Sequence, residues 1–128
     1  MNEPEPHARI EVSPETSFLE QHSDPAQNRY AFAYTITLRN VGEVPARLLE
    51  RHWLITHGDG RVEEVRGPGV VGDQPLLAPG ESYTYSSGAV IATPVGTMQG
   101  DYLFTTEDGE RFIVPIPRFT LSIPRVLH

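Results

Sequence analysis

The stretch Tyr30-Ala31-Phe32-Ala33-Tyr34-Thr35-Ile36-Thr37-Leu38 places a large apolar residue at every second position, with small or hydroxyl residues between. Successive side chains of an extended chain point to opposite faces, so this period of two describes a strand with one face on a core and one face in water. Downstream, Asn40-Val41-Gly42 turns the chain, and Arg47 to His57 forms a second long strand with Trp53 and Ile55 on one face. Gly58-Asp59-Gly60 then reads as a tight hairpin into Arg61 to Arg66, because Asp-Gly tolerates the positive φ such turns require. Upstream, Ala8 to Val12 makes a first strand.

Beyond Arg66 the chain is rich in Gly and Pro from Gly67 to Gly80, and Pro79-Gly80 suits the central positions of a type II turn. Ser82 to Ser86 alternates again, and Gly100 to Thr106 and Arg111 to Ile123 flank a second hairpin at Asp108-Gly109. Nowhere do apolar residues keep a helical period, and no internal repeat recurs. The expectation is an all-β, immunoglobulin-like or fibronectin type III-like β-sandwich of about seven strands in two antiparallel sheets. Two spacings sharpen it: Trp53 lies 17 residues after Ile36, and Tyr102 lies two before Phe104, where such domains place a buried Trp and a corner Tyr. A buried Tyr102 needs a partner for its hydroxyl, which the corner would supply. Pro115 and Pro117 lack amide donors on one lateral side, so the last strand is at a sheet edge there, or bulged.

With 128 residues the chain suits one domain, taken as residues 8–128 behind a flexible acidic tail at 1–7. No basic start with an apolar stretch marks a secretory signal, and no apolar run is long enough to cross a bilayer, so a cytoplasmic protein with no membrane contact is expected. Cysteine is absent, which rules out thiol nucleophiles, disulfides and cysteine-held metals or clusters. Lysine is absent too, since all ten basic residues are Arg, and this removes Lys catalysis. Of the net charge of −7, residues 1–24 carry six acids and one Arg, leaving 11 acids against nine Arg elsewhere. Such a balance lacks the basic patch that phosphate backbones demand, so nucleic acid is not an expected partner.

Gly67-Pro68-Gly69-Val70-Val71-Gly72 matches the spacing of a dinucleotide-binding loop, but Asp73-Gln74-Pro75 follows where a helix should start, and no strand-helix-strand unit surrounds it. A conformationally demanding loop is the simpler reading, with an anion-holding nest of loop amides beside Arg66 as the alternative. Of His7, His22, His52, His57 and His128, only His52 and His57 lie in a clear strand, and their odd separation points them to opposite faces. Asp73, Asp101 and Asp108 have no calcium-loop spacing, so neither a metal site nor a cofactor is expected. No nucleophile elbow exists, Ser86-Ser87-Gly88 has no evident base, and the adjacent carboxylates Glu63-Glu64 and Glu107-Asp108 do not form an acid-base pair. Arg51 shares a face with Trp53 and is read as stacking on it or reaching solvent.

Arg51-His52-Trp53, the Gly67 to Gly72 loop, Gln74-Pro75, Pro79-Gly80, Tyr85-Ser86-Ser87-Gly88, Gly96-Thr97-Met98-Gln99-Gly100-Asp101-Tyr102 and Ile116-Pro117-Arg118-Phe119, in this order, closely resemble the bacterial ApaG family. That resemblance covers nearly the whole chain and implies a fibronectin type III-like sandwich. It also connects the chain, through the alternative family name CorD, with cobalt and magnesium resistance or efflux, and with the gene neighbourhood of a diadenosine tetraphosphate hydrolase. Similar domains in F-box proteins and in a polymerase-delta-interacting protein look like protein-interaction modules. An ion path would need a spanning structure that the sequence does not contain, so any metal role would run through a partner. The expected function is a non-enzymatic binding domain for an unidentified protein, with Arg51, His52, Arg66, Gly67, Gly69 and Gly72 as candidate contacts. The alternative is a sensor for a nucleotide, a diphosphate or a divalent cation at the same loop. The sequence leaves the oligomeric state open.

Overall fold

A computed structural model describes residues 8–124 of the 128; the tail expected at 1–7 lies outside the described residues. The chain runs through eight strands: β1 (Ile10–Phe18), β2 (Tyr30–Asn40), β3 (Ala46–His57), β4 (Val62–Pro68), β5 (Leu76–Leu77), β6 (Ser82–Ile91), β7 (Val95–Thr106) and β8 (Arg111–Ser122). Two single 3₁₀ turns, Glu20–His22 and Pro25–Gln27, connect β1 to β2. One sheet has the order β1-β2-β6, the other β4-β3-β7-β8 with β5 also on β3, and every pairing is antiparallel.

The alternation in β2 supplies the core as its pattern predicts: Phe32, Tyr34, Ile36 and Leu38 are buried, while Thr35 and Thr37 face outward. Their hydroxyls meet those of Ser86 and Thr84 across the sheet. Opposite them, Leu48, Trp53, Met98, Tyr102, Phe104, Val114, Ile116 and Leu121 complete one hydrophobic cluster. Trp53 is 2% exposed and stands edge-on to Tyr34, Tyr102 and Phe119 at ring separations of 5.3, 6.4 and 5.8 Å. Edge-to-face rings add to plain burial, which makes Trp53 the anchor between the sheets.

Several strands run further than the sequence suggests. β1 continues through Pro14 to Phe18, because Arg9 and Val41 form a hydrogen-bonded pair and alternation then turns Pro14 away from β2, where no donor is needed. β6 extends beyond Ser86 to Ile91, and β7 begins at Val95. The expected irregular stretch from Gly67 to Gly80 shortens at its start, where Gly67 and Pro68 close β4, and is interrupted by Leu76–Leu77, which pair with β3. β8 is both an edge strand and irregular, its register to β7 slipping between Met98 and Gly100, opposite Pro117. Tyr102 is buried as expected, but its hydroxyl partner is not a corner backbone group. It is the Tyr85 hydroxyl on the facing sheet, 2.6 Å away.

Candidate binding surface

Strand β3 divides the sequence's candidate residues between its two faces. Arg51 lies on the Trp53 side and His52 on the other, so alternation separates neighbours that the chain presents as one motif.

On the inner side, the Arg51 guanidinium neither stacks on Trp53 nor runs out to solvent, as the sequence suggested. Its Nη1 donates to the carbonyls of Pro68 and Gly69, at 3.1 and 3.0 Å. Gly67 makes room for it, since a Cβ there would stand 2.8 Å from Nη1. Arg51 has no ion pair among the described residues, so its charge is held by backbone dipoles alone. It is a strut beneath the loop.

The loop itself is a small hairpin. Val70 and Asp73 exchange backbone hydrogen bonds of 2.8 and 2.9 Å, enclosing Val71 and Gly72, whose φ values are +49° and +82°. Two positive φ angles in a two-residue connection are the type I′ pattern, which favours Asn-Gly and strongly disfavours a β-branched residue at its first position. Val70 is fully buried and plugs the loop into the core, whereas Val71 is 62% exposed. Gly69 is also left-handed, at φ +61°, and its amide donates to the Leu49 carbonyl. A Cβ at Gly69 would collide with the Asp73 carbonyl oxygen. Tyr83 tethers the outer side of the loop through its hydroxyl, which donates to Asp73 at 2.9 Å. Three loop amides, those of Gly69, Val70 and Asp73, are thus engaged with carbonyls.

On the outer side, His52 holds Glu64 through Nε2 at 2.6 Å and faces Asp101 through Nδ1 at 3.5 Å, while Arg66 reaches Glu64 at 3.2 Å. The His52 hydrogen bond is the main reason that the exposed Glu64 carboxyl titrates below the ordinary glutamate range. Arg66 therefore joins this row through Glu64, on the face opposite to Arg51. Glu63 and Glu64, adjacent in sequence, serve different histidines. Glu63 bonds Nε2 of the buried His57 at 2.8 Å, and Nδ1 of His57 accepts from the Ala92 amide at 3.0 Å and from Arg61 at 3.1 Å. Those hydrogen bonds place the ring proton on Nε2. Nothing in the sequence pointed to this link between β3 and the end of β6, because it depends on a contact 35 residues apart.

Asp73, Asp101 and Asp108 lie apart, bonded to Tyr83, His52 and Thr106 respectively. Among the described residues no three His, Asp or Glu side chains come together in a set that could hold a metal ion. No described helix is long and apolar enough to cross a membrane.

The model of the ApaG domain family matches residues 20–106 of this chain. Protein ApaG of Aromatoleum aromaticum is 61% identical over 120 residues, covering 94% of each chain. Protein ApaG of Azotobacter vinelandii is 57% identical over 124 residues, covering 97% of this chain and 98% of that one. Among solved structures, the crystal structure of an ApaA protein from Bordetella pertussis superposes with a TM-score of 0.90 at 50% identity, over 93% of this chain and 97% of that chain.

Proposed function

From the premise that this chain belongs to the ApaG family, we propose that it is a non-enzymatic binding domain whose partner is another protein, contacted through the hairpin at Val70–Asp73 and its surroundings. The observation that carries the reading is Val71. A β-branched residue in the left-handed region costs of order 1–3 kcal/mol and persists only where something over-determines it. Here the strain leaves an aliphatic side chain exposed at a loop tip that Arg51, Val70 and Tyr83 fix from three sides. A turn selected for stability alone would carry Asn-Gly at Val71-Gly72.

The side chains best suited to chemistry are committed elsewhere, which supports a binding role over catalysis. Both ring nitrogens of His57 are hydrogen-bonded, His52 lies between two carboxylates, and the Ser86 hydroxyl meets Thr35 and not a base. The association of the family name with cobalt and magnesium would then be exercised through the partner.

The test is capture of partners from a lysate of the source bacterium, identified by mass spectrometry, with wild type and Val71→Asn as baits. Asn suits the turn, so the variant should be as stable as the wild type or more so while losing the partner. Equal capture by a stable Val71→Asn overturns the proposal.

A further inference from the structure

Resting on the binding-domain reading, a second surface defines a mode of binding and a class of partner. The two sheets are unequal. β1 packs on β8, the Tyr85 hydroxyl of β6 meets Tyr102 of β7, and the amide after β6, at Ala92, meets His57 of β3. The three-stranded sheet thus covers β8, β7 and β3 and stops there. Strand β4 projects beyond it: every residue from Val62 to Arg66 is exposed whichever face it occupies, including Glu63 and Val65 on the inner face.

Each sheet edge can be judged by which residues turn their backbone groups outward. β1 turns Pro14 outward, and β8 turns Pro115 outward, because Thr106 pairs with Glu110 and alternation then directs even-numbered residues to β7. Pro68 ends β4, which carries Glu63, Glu64 and Arg66 along its length. Prolines and charges of this kind are how natural sheets stop other strands from pairing with them. β6 has neither. Its ten residues, Ser82–Ile91, contain no proline and no charge. Asn40 donates to Glu81, so odd-numbered residues face β2, and Ser82, Thr84, Ser86, Gly88 and Val90 turn their N–H and C=O groups into the space above β4.

We infer that this space is a slot for one extended peptide segment of a partner protein, which adds to β6 as the fourth strand of the smaller sheet and lies over the inner face of β4. A second copy of the chain does not fit. Strands in a sheet are about 4.8 Å apart and packed sheets about 10 Å apart, so a β6 paired with its copy would drive the copy's β3 into the place that β4 occupies. A lone strand meets no such obstacle. The open end of the slot is lined by Arg29 and Arg61 beside Val90, with the Glu63 carboxylate there already bonded to His57, and Arg29 has no ion pair among the described residues. An antiparallel segment would place its N-terminal residues there, so the structure favours acidic residues at that end followed by alternating β-branched residues that pair with β6 and cover Val65.

The probe is an acetylated, amidated octapeptide of two aspartates followed by alternating threonine and valine, added to ¹⁵N-labelled protein at up to about millimolar concentration. Exchange of the Thr84, Ser86, Gly88 and Val90 amides should slow at least tenfold on saturation. Methylating the peptide nitrogens that face β6, replacing the aspartates by arginines, or introducing Ser86→Pro should each weaken binding at least tenfold. Ser86→Pro removes an outward amide and an exposed hydroxyl contact, so the fold should survive, and the methylated peptide makes the same test on unmodified protein. No slowing at these amides overturns the inference. Binding that ignores both Ser86→Pro and peptide methylation but fails with Val71→Asn also overturns it, while leaving the binding-domain reading in place.

Discussion

Replacing Gly69 by Ala separates two costs that left-handed glycines usually combine. At Gly72, φ is +82° and a Cβ would meet nothing within 4 Å, so Gly72→Ala pays only for placing an L-residue in the left-handed region, about 1–2 kcal/mol. At Gly69, φ is +61° and the same conformational cost applies, but the Cβ also collides with the Asp73 carbonyl oxygen. Relief requires the hairpin to move away from β3, which disturbs the hydrogen bond from Gly69 to Leu49 and the pair between Val70 and Asp73. At about 1 kcal/mol for each of one or two such bonds, Gly69→Ala should lose about 2–4 kcal/mol. Urea denaturation followed by Trp53 fluorescence measures both variants, and the slope of the transition should stay constant while its midpoint falls. Equal losses for the two variants, within about 0.5 kcal/mol, would mean that the loop relaxes freely and is not the fixed device that the binding proposal requires.

Trp53→Ala should cost about 3–5 kcal/mol through lost burial and a cavity; Trp53→Phe should cost clearly less, because it keeps a large buried ring and the indole N–H has no protein acceptor among the described residues, and thermal unfolding checks both. Tyr85→Phe strands the Tyr102 hydroxyl in the core and should cost about 1–3 kcal/mol, whereas adding Tyr102→Phe should cost little more, as a double-mutant cycle in urea would reveal. Burial raises the titration of Tyr85 and Tyr102 above the usual phenol range. Groups raised in the folded state contribute stability below their unfolded value, near 10, and lose it as pH rises further, so neither phenol should ionise by ultraviolet titration before the chain unfolds. The Glu64 carboxyl, monitored by NMR, should titrate below 4.5 in the wild type and move up toward that value in His52→Ala. A depressed carboxyl stabilises above its unfolded value and loses this on acidification, but the Glu64 side chain is exposed and the effect on stability is screened.

The strands were legible wherever one face is buried and the other wet, as in β2, because burial itself writes the period of two into the residues. Where a strand sits at an edge, that signal fades. β4 is exposed on both faces and shows no alternation, and β1 runs through a proline that sequence logic takes as a stop. The buried Asn40 reads as an ordinary turn residue. In the structure its side chain instead donates to Val44 and Leu77 at 2.9 and 2.8 Å and accepts from Gly42, holding the β2 exit against β5. Likewise the candidate residues Arg51, His52 and Arg66 do not share one face. Alternation tells that Arg51 and His52 part company, but only the register of β4 on β3, with His52 opposite Arg66, places Arg66 on the His52 face, where it bonds Glu64.

The glycine pattern and its chemistry also part company for a reason local to the loop. In a phosphate-binding loop the glycines lead into a helix whose first amides stay unpaired and point at the anion. Here the last glycine closes a two-residue hairpin, and the amide after it, at Asp73, returns to Val70. Arg51, the nearby cation, directs Nη1 to the carbonyls of Pro68 and Gly69 and so fixes the loop from below. The same spacing of glycines therefore yields a rigid backbone carrying an exposed Val71, a surface suited to shape and apolar contact more than to charge. Turning the Gly69 or Val70 amide toward a phosphate would flip a peptide whose carbonyl Arg51 holds, so those two amides cannot serve an anion unless the strut breaks.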